Sequence, residues 1–217
     1  MTALRAFLLA FPALFSVVNP LGMALIFHET TAEFGTAAQE QLARLVAIYG
    51  ALVMLVAAFA GSYVLTFFGI SLAALRLAGG AVVAVRAWEL LAAPEVYEQR
   101  KSSQAVAGSG ASVAFYPLTM PLTTGPGTMA VAVALGAERP AAVGIGLVGF
   151  LGGLALACVA VAVTIWLSFG SAPRIAAWLG PTARQTLSRL AAFLLMCIGV
   201  QIMIHGFADV LAGHAGL

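Results

Sequence analysis

The sequence predicts an all-α polytopic membrane protein: six transmembrane helices arranged as two inverted three-helix repeats, with the first and fourth helices broken. Three observations carry this. First, the 217 residues are 62% hydrophobic and 8% charged, with a mean hydropathy of +1.05. A soluble domain carries about 25% charge, and a disordered chain needs low hydrophobicity, so neither fits. Second, six apolar stretches each reach the roughly 20 residues that a span requires. Third, Pro and Gly interrupt two of those stretches near their middles. A net charge of +2 is too small to suggest nucleic-acid binding. The chain reads as one membrane domain, residues 1–217, with repeat 1 at 4–93 and repeat 2 at 113–211.

The spans are expected at Leu4–His28, Leu42–Phe68, Ser71–Ala93, Val113–Leu135, Ala141–Gly170 and Arg184–Leu211. Leu4–Val18 has one Arg ahead of an apolar run, the outline of a cleaved leader. The run continues to Phe27, past Asn19-Pro20 and without a good small-x-small site, so it reads as a first span. His28–Gln41, with its Glu residues and Gly35, separates spans one and two. Phe68-Gly69-Ile70-Ser71 is a tight turn. Pro94–Ser112 is the longest polar segment, Gly136–Pro140 a short charged turn, and Ser171–Ala183 a break carrying Pro173, Gly180 and Pro181. Gly149 and Gly153 read as a helix-packing pattern. Cys158 and Cys197 read as small buried hydrophobes. Near the span ends, Arg5, Arg76 and Arg139 fall on one side; Arg44, Arg100, Lys101, Arg174, Arg184 and Arg189 fall on the other. The positive-inside rule then places both termini outside the cytoplasm.

The repeat is read from order and spacing. The first span holds Asn19-Pro20-Leu21-Gly22, and the fourth holds Thr123-Thr124-Gly125-Pro126-Gly127. Pro20 precedes Arg76 by 56 residues, and Pro126 precedes Arg189 by 63. Three spans is an odd number, so the second copy must enter from the opposite side. After each Pro a helical half runs outward, so the two helix N-termini converge near the midplane. Unpaired amides and positive partial charge suit an anion there. Asn19, Thr123 and Thr124 add polar side chains, and Gly22, Gly125 and Gly127 let backbone come close. This describes a site for a small carboxylate-bearing solute; the competing reading is a pair of structural kinks.

These motifs, with Leu75-Arg76-Leu77-Ala78-Gly79-Gly80 and Phe115-Tyr116-Pro117-Leu118-Thr119-Met120, resemble the MarC family of bacterial and archaeal inner-membrane proteins over about Phe7 to Phe207. The resemblance implies a multi-pass protein of the cell inner membrane. Some members of that family move glycine or alanine, which implies transport of a small neutral amino acid here.

Other polar residues have two readings each. Arg76 and Arg189, at the starts of the third and sixth spans, snorkel to the interface or lock the repeats and gate the cavity. Arg86 and Glu89, three apart, pair on one helix face, or Glu89 couples protons. Gln201 glues helices or lines the pathway. His205 and Asp209 read as an exposed interfacial pair. The residues give no nucleophile–base pair, metal cluster or nucleotide loop, so neither an enzyme nor a cofactor is expected. The expected function is secondary transport of glycine or alanine through the lipid bilayer. The alternatives are a channel, a drug or small-solute exporter, or a non-transporting scaffold. The residues leave open whether a proton or sodium ion drives it, and whether the chain forms a homo-oligomer.

Overall fold

The structure is a computed structural model, and it describes residues 2–32, 34–92, 110–140 and 144–214. Among these residues every regular element is helical. In chain order the helices are α1 (Ala3–Val18), α2 (Pro20–Thr30), α3 (Thr36–Phe68), α4 (Leu72–Ala92), α5 (Gly110–Val113), α6 (Pro126–Ala137) and α7 (Ile145–His214). A widened, π-type segment, Ala114–Thr123, joins α5 to the start of α6. The expected polar segment Pro94–Ser112 lies outside the described residues up to 109, and so do Arg100 and Lys101.

Four stretches are long and apolar enough to cross a bilayer: Ala3–Thr30, Thr36–Phe68, Ile145–Ile175 and Arg189–Leu211. A fifth forms if Ala114–Thr123 and Pro126–Ala137, bent by 69° at their junction, count as one broken span. The chain is therefore a polytopic helical membrane protein. The expected third span, α4, has 21 residues, about 31 Å at helical rise. It carries three charges, and each has a partner: Arg76 bonds Asp209, and Arg86 bonds Glu89 at 2.6 Å.

The punctuation follows residue chemistry. At Gly69 the chain takes φ +66°, which glycine adopts without strain, and the Ile70 amide reaches back to the Leu65 carbonyl at 2.9 Å. Ser71 then caps α4 by accepting from the Ala74 amide at 3.1 Å. The tight turn expected at 68–71 is thus a helix C-cap followed by an N-cap.

Two expectations need correction. Ser171–Ala183 was expected to end a helix between the fifth and sixth spans; two candidate spans do separate there, at Ile175 and Arg189, but the backbone stays helical from Ile145 to His214. The helix is not straight, however. Phe169 stacks on Phe27 with ring centroids 4.5 Å apart, and a Cβ on Gly22 would stand 2.5 Å from Ala191 Cβ. Phe27 and Gly22 are about 7.5 Å apart along α2, whereas residues 169 and 191 would be about 33 Å apart on a straight helix. So the chain folds back between them, and the two candidate spans of α7, Ile145–Ile175 and Arg189–Leu211, lie on either side of that return. Pro173, with no amide to give the Phe169 carbonyl, lies within the interval from 169 to 191. Second, Cys158 is buried as expected, but Cys197 is exposed. It lies on the helix face turned away from α4.

Packing rests on close backbone approach. Gly153 sits against Ala3 and Ala6 of α1, in line with its expected packing role. Gly80 faces Gly199 and Met203, and Gly206 faces Leu77, so α4 and the last span run antiparallel along a seam of small residues. In a bilayer such seams supply the dispersion contact that association depends on.

Candidate functional site

The first break centres on Asn19. Its backbone is left-handed, at φ 46° and ψ 59°, a conformation that Asn tolerates better than most residues. Its amide donates to the Phe15 carbonyl at 2.9 Å and closes α1. Its side-chain Oδ1 accepts from the Gly22 amide at 3.3 Å and opens α2. Pro20 takes the first helical position, where a missing N–H costs nothing. One residue thus caps two helices, and it consumes one of the α2 amides expected to face a ligand. Met23 donates to the Asn19 carbonyl, which leaves only the Leu21 amide among the first four positions.

The second break is built differently. Pro117 and Pro121 are four residues apart, so one donor is missing from each of two successive turns. The backbone leaves helical geometry at Tyr116 and Met120. Three threonines add side-chain bonds, each to the carbonyl five residues earlier in this widened segment. Thr119 Oγ1 donates to the Ala114 carbonyl at 2.6 Å, Thr123 Oγ1 to Leu118 at 2.7 Å, and Thr124 Oγ1 to Thr119 at 3.4 Å. All three are buried. Their hydroxyl protons are therefore engaged, and their lone pairs are what they can offer a ligand.

At the start of α6, Gly125 gives no side-chain cap and Pro126 has no amide. The first helical bond here runs from the Met129 amide to the Gly125 carbonyl. Among the described residues nothing accepts from the Gly127 and Thr128 amides, and both residues are buried. The Thr128 side chain beside them is 3% exposed. Uncapped amides at a buried helix start are uncommon, because each carries a desolvation cost. The two breaks are alike in sequence but unequal in chemistry: the α2 end is self-capped, and the α6 end is open.

The glycines also differ from expectation. A Cβ on Gly125 would stand 2.6 Å from the Pro121 carbonyl, one on Gly127 would meet Val83, and one on Gly22 would meet Ala191. Protein fills the space beside each of them, so their lack of a side chain serves helix packing.

The two breaks are packed together. α1 touches α6, and α2 touches Ala114–Thr123, so each half of one broken helix meets the opposite half of the other. The third helices cross over as well. Gly79 of α4 packs on Pro126 and Gly127, while Ala191 of α7 packs on Gly22.

The remaining candidates lie elsewhere. Arg76 joins α4 to the end of α7 through Asp209, with side chains 21% and 40% exposed. The expected His205–Asp209 pair does not form, because Asp209 turns to Arg76 and His205 bonds Gln201 at 3.2 Å. Glu89 pairs with Arg86 on an exposed face of α4, and Gln201 is exposed on the last span. Arg189 begins that span and is exposed. A feature not foreseen is a cavity of about 170 Å³ lined by Thr36, Gln39, Glu40, Phe169, Pro173 and Arg174. It reaches Phe169, whose stacking partner Phe27 is about 10 Å along α2 from Pro20. Gln39, one of its walls, is fixed by donating to the Thr31 carbonyl at 2.7 Å.

Together these features define a multi-pass helical membrane protein with two broken helices meeting in its interior. The chain belongs to the MarC family: a family model described as MarC family integral membrane protein matches residues 4–211. It is 32% identical over 218 residues to the inner membrane protein MarC of Citrobacter koseri, covering 97% of this chain and 98% of that one. It is 32% identical over 222 residues to the MarC protein of Salmonella paratyphi A, with the same coverage of both chains. Against the protein of Escherichia coli O1:K1 the figure is 31% over 221 residues, covering 95% and 96%. No solved structure matches the chain. The family and the apolar helices make it a multi-pass protein of the inner membrane.

Proposed function

We propose that this chain is a secondary transporter of a small neutral amino acid, glycine or alanine, built as six spans in two inverted repeats. The observation that carries the reading is the open, buried start of α6, packed against the other broken helix. The Gly127 and Thr128 amides bind the substrate carboxylate, aided by the positive end of α6. The oxygens of Thr123 and Thr124, whose protons are engaged on the backbone, accept from the substrate ammonium. Asn19 and Pro20 hold α2 in place beside them, with the Leu21 amide as a lesser donor.

The inverted arrangement is supported by the crossed contacts, since each half-helix meets its counterpart and each third helix meets the opposite break. Sidedness supports it too. Arg139, after α6, stacks over Tyr63 near the end of α3 at 4.4 Å. Arg76 at the start of α4 meets Asp209 near the end of α7. At the other end of the bundle Glu40 and Arg174 share one cavity. Six crossings put these groups on the two sides that the Lys/Arg pattern assigns. Reporter fusions are expected to place Arg100 and Lys101 in the cytoplasm and Leu217 outside; a cytoplasmic carboxy terminus would refute this orientation.

The deciding test is uptake of labelled glycine and alanine into proteoliposomes, with and without a proton or sodium gradient. Concentrative uptake that collapses with the gradient is the expected result. Flux that only equilibrates would make the protein a channel, and no flux of either solute would sink the reading. Arg76 and Arg189 are the gating candidates that this reading keeps, as charges at opposite span ends. Glu89 and Gln201, both exposed on outer helix faces, take no part in it.

A further inference from the structure

The span Arg189–Leu211 buries Ala191, Ala192, Gly199, Ile202 and Gly206 against the rest of the bundle. On a helix of 3.6 residues per turn, the opposite face is held by Leu190, Leu194, Cys197, Gln201, Ile204 and Ala208, and all six are exposed. They come at spacings of four and three residues, as neighbours on one helix face do, so they form one continuous outward stripe. Facing lipid demands only apolar residues. It does not demand an amide at the centre.

Gln201 is that amide. It lies twelve residues from Arg189 and ten from Leu211, so about 15–18 Å of helix separates it from each end, near the middle of the hydrocarbon. Its Nε2 meets His205 Nε2 at 3.2 Å, and His205 is exposed as well. Among the described residues the Gln201 carbonyl oxygen has no partner. An amide and an imidazole turned toward acyl chains at this depth are costly and call for a polar partner.

We propose that this face is the interface with a second copy of the chain. A two-fold axis along the membrane normal sets two such helices parallel, with Gln201 opposite Gln201 at the same depth. Glutamine both donates and accepts, so it satisfies its own image. A single polar residue in an apolar seam also fixes the register of the pair. An unrelated partner would have to present a matching amide at the midplane, a condition that the second copy meets by symmetry. The inference is independent of what the protein carries.

Cys197, one turn from Gln201, provides the test. The full chain carrying Cys158→Ala is oxidised with copper phenanthroline in its native membrane. A disulfide-linked species of about twice 22.2 kDa is expected, absent from Cys197→Ser. A chain without native cysteines that carries Val159→Cys, exposed on the first span of α7, is expected to give no more than about a tenth as much. Energy transfer between labelled copies diluted in lipid vesicles measures affinity directly. Gln201→Leu is expected to weaken association roughly three- to twentyfold. The proposal is overturned if Cys197 reacts with N-ethylmaleimide yet yields no dimer, if Val159→Cys links equally well, or if Gln201→Leu associates unchanged.

Discussion

Gly199→Val is expected to destabilise the purified protein by about 3 kcal/mol, the upper end of overpacking costs, and to deplete it from the membrane. A Cβ at this position would stand 2.7 Å from the Ala84 amide and 2.9 Å from the Gly80 carbonyl. Both are backbone atoms of α4, so no side chain can swing aside and the helices must separate. Separation breaks the seam from Leu77 to Ala84 and pulls Asp209 away from Arg76. Gly152→Ala is the matched control, because nothing lies within 4 Å of the Cβ it would add. There the substitution is expected to stabilise by up to about 1 kcal/mol through helix propensity alone. Thermal unfolding of both proteins in one detergent checks the pair. Equal midpoints would mean that the seam does not hold the two halves together.

The same contrast shows how far a sequence reading reaches. Composition alone establishes the membrane class, because ten Lys/Arg and eight Asp/Glu cannot cover the surface of a soluble fold of this size. The Asn19-Pro20 break and the turn at Gly69 were legible because their causes are local: a missing amide, a left-handed residue, a short cap. Partners set by tertiary placement were not. Asp209 lies four residues from His205 but bonds Arg76, 133 residues away in the chain. Cys197 sits in an apolar run, and only the phase of its helix shows that it faces outward. Pro173 lies in a stretch that reads as a break, and two spans do separate there, yet the backbone between them stays helical.

At the candidate site the sequence located both breaks but could not rank them. Asn19 is polar, so it reads as a ligand, whereas its Oδ1 is committed to the Gly22 amide. Thr123 and Thr124 read as donors and acceptors, whereas their protons are committed to the Leu118 and Thr119 carbonyls and only the acceptor half is left. Thr128 was overlooked because it falls after the breaker motif, one residue past Gly127.

Thr128 therefore gives the sharpest test of the transport reading. Thr128→Val keeps the shape and the backbone amide but removes the hydroxyl. The loss of one neutral hydrogen bond is expected to weaken glycine binding roughly two- to tenfold. Thr128→Pro removes the amide as well, at the third position of α6, where proline is tolerated because the first turn has no partner for that amide. A hydrogen bond to a carboxylate contributes about 1.5–3 kcal/mol, so binding is expected to fall a further ten- to hundredfold. Binding of labelled glycine to purified protein, scored at equal thermal stability, separates the two steps. A helix start that merely ends a kink makes no distinction between them, and Thr128→Pro would then bind and carry glycine as well as Thr128→Val. A large additional loss confined to Thr128→Pro, with unfolding unchanged, is the outcome that requires an anion at the start of α6.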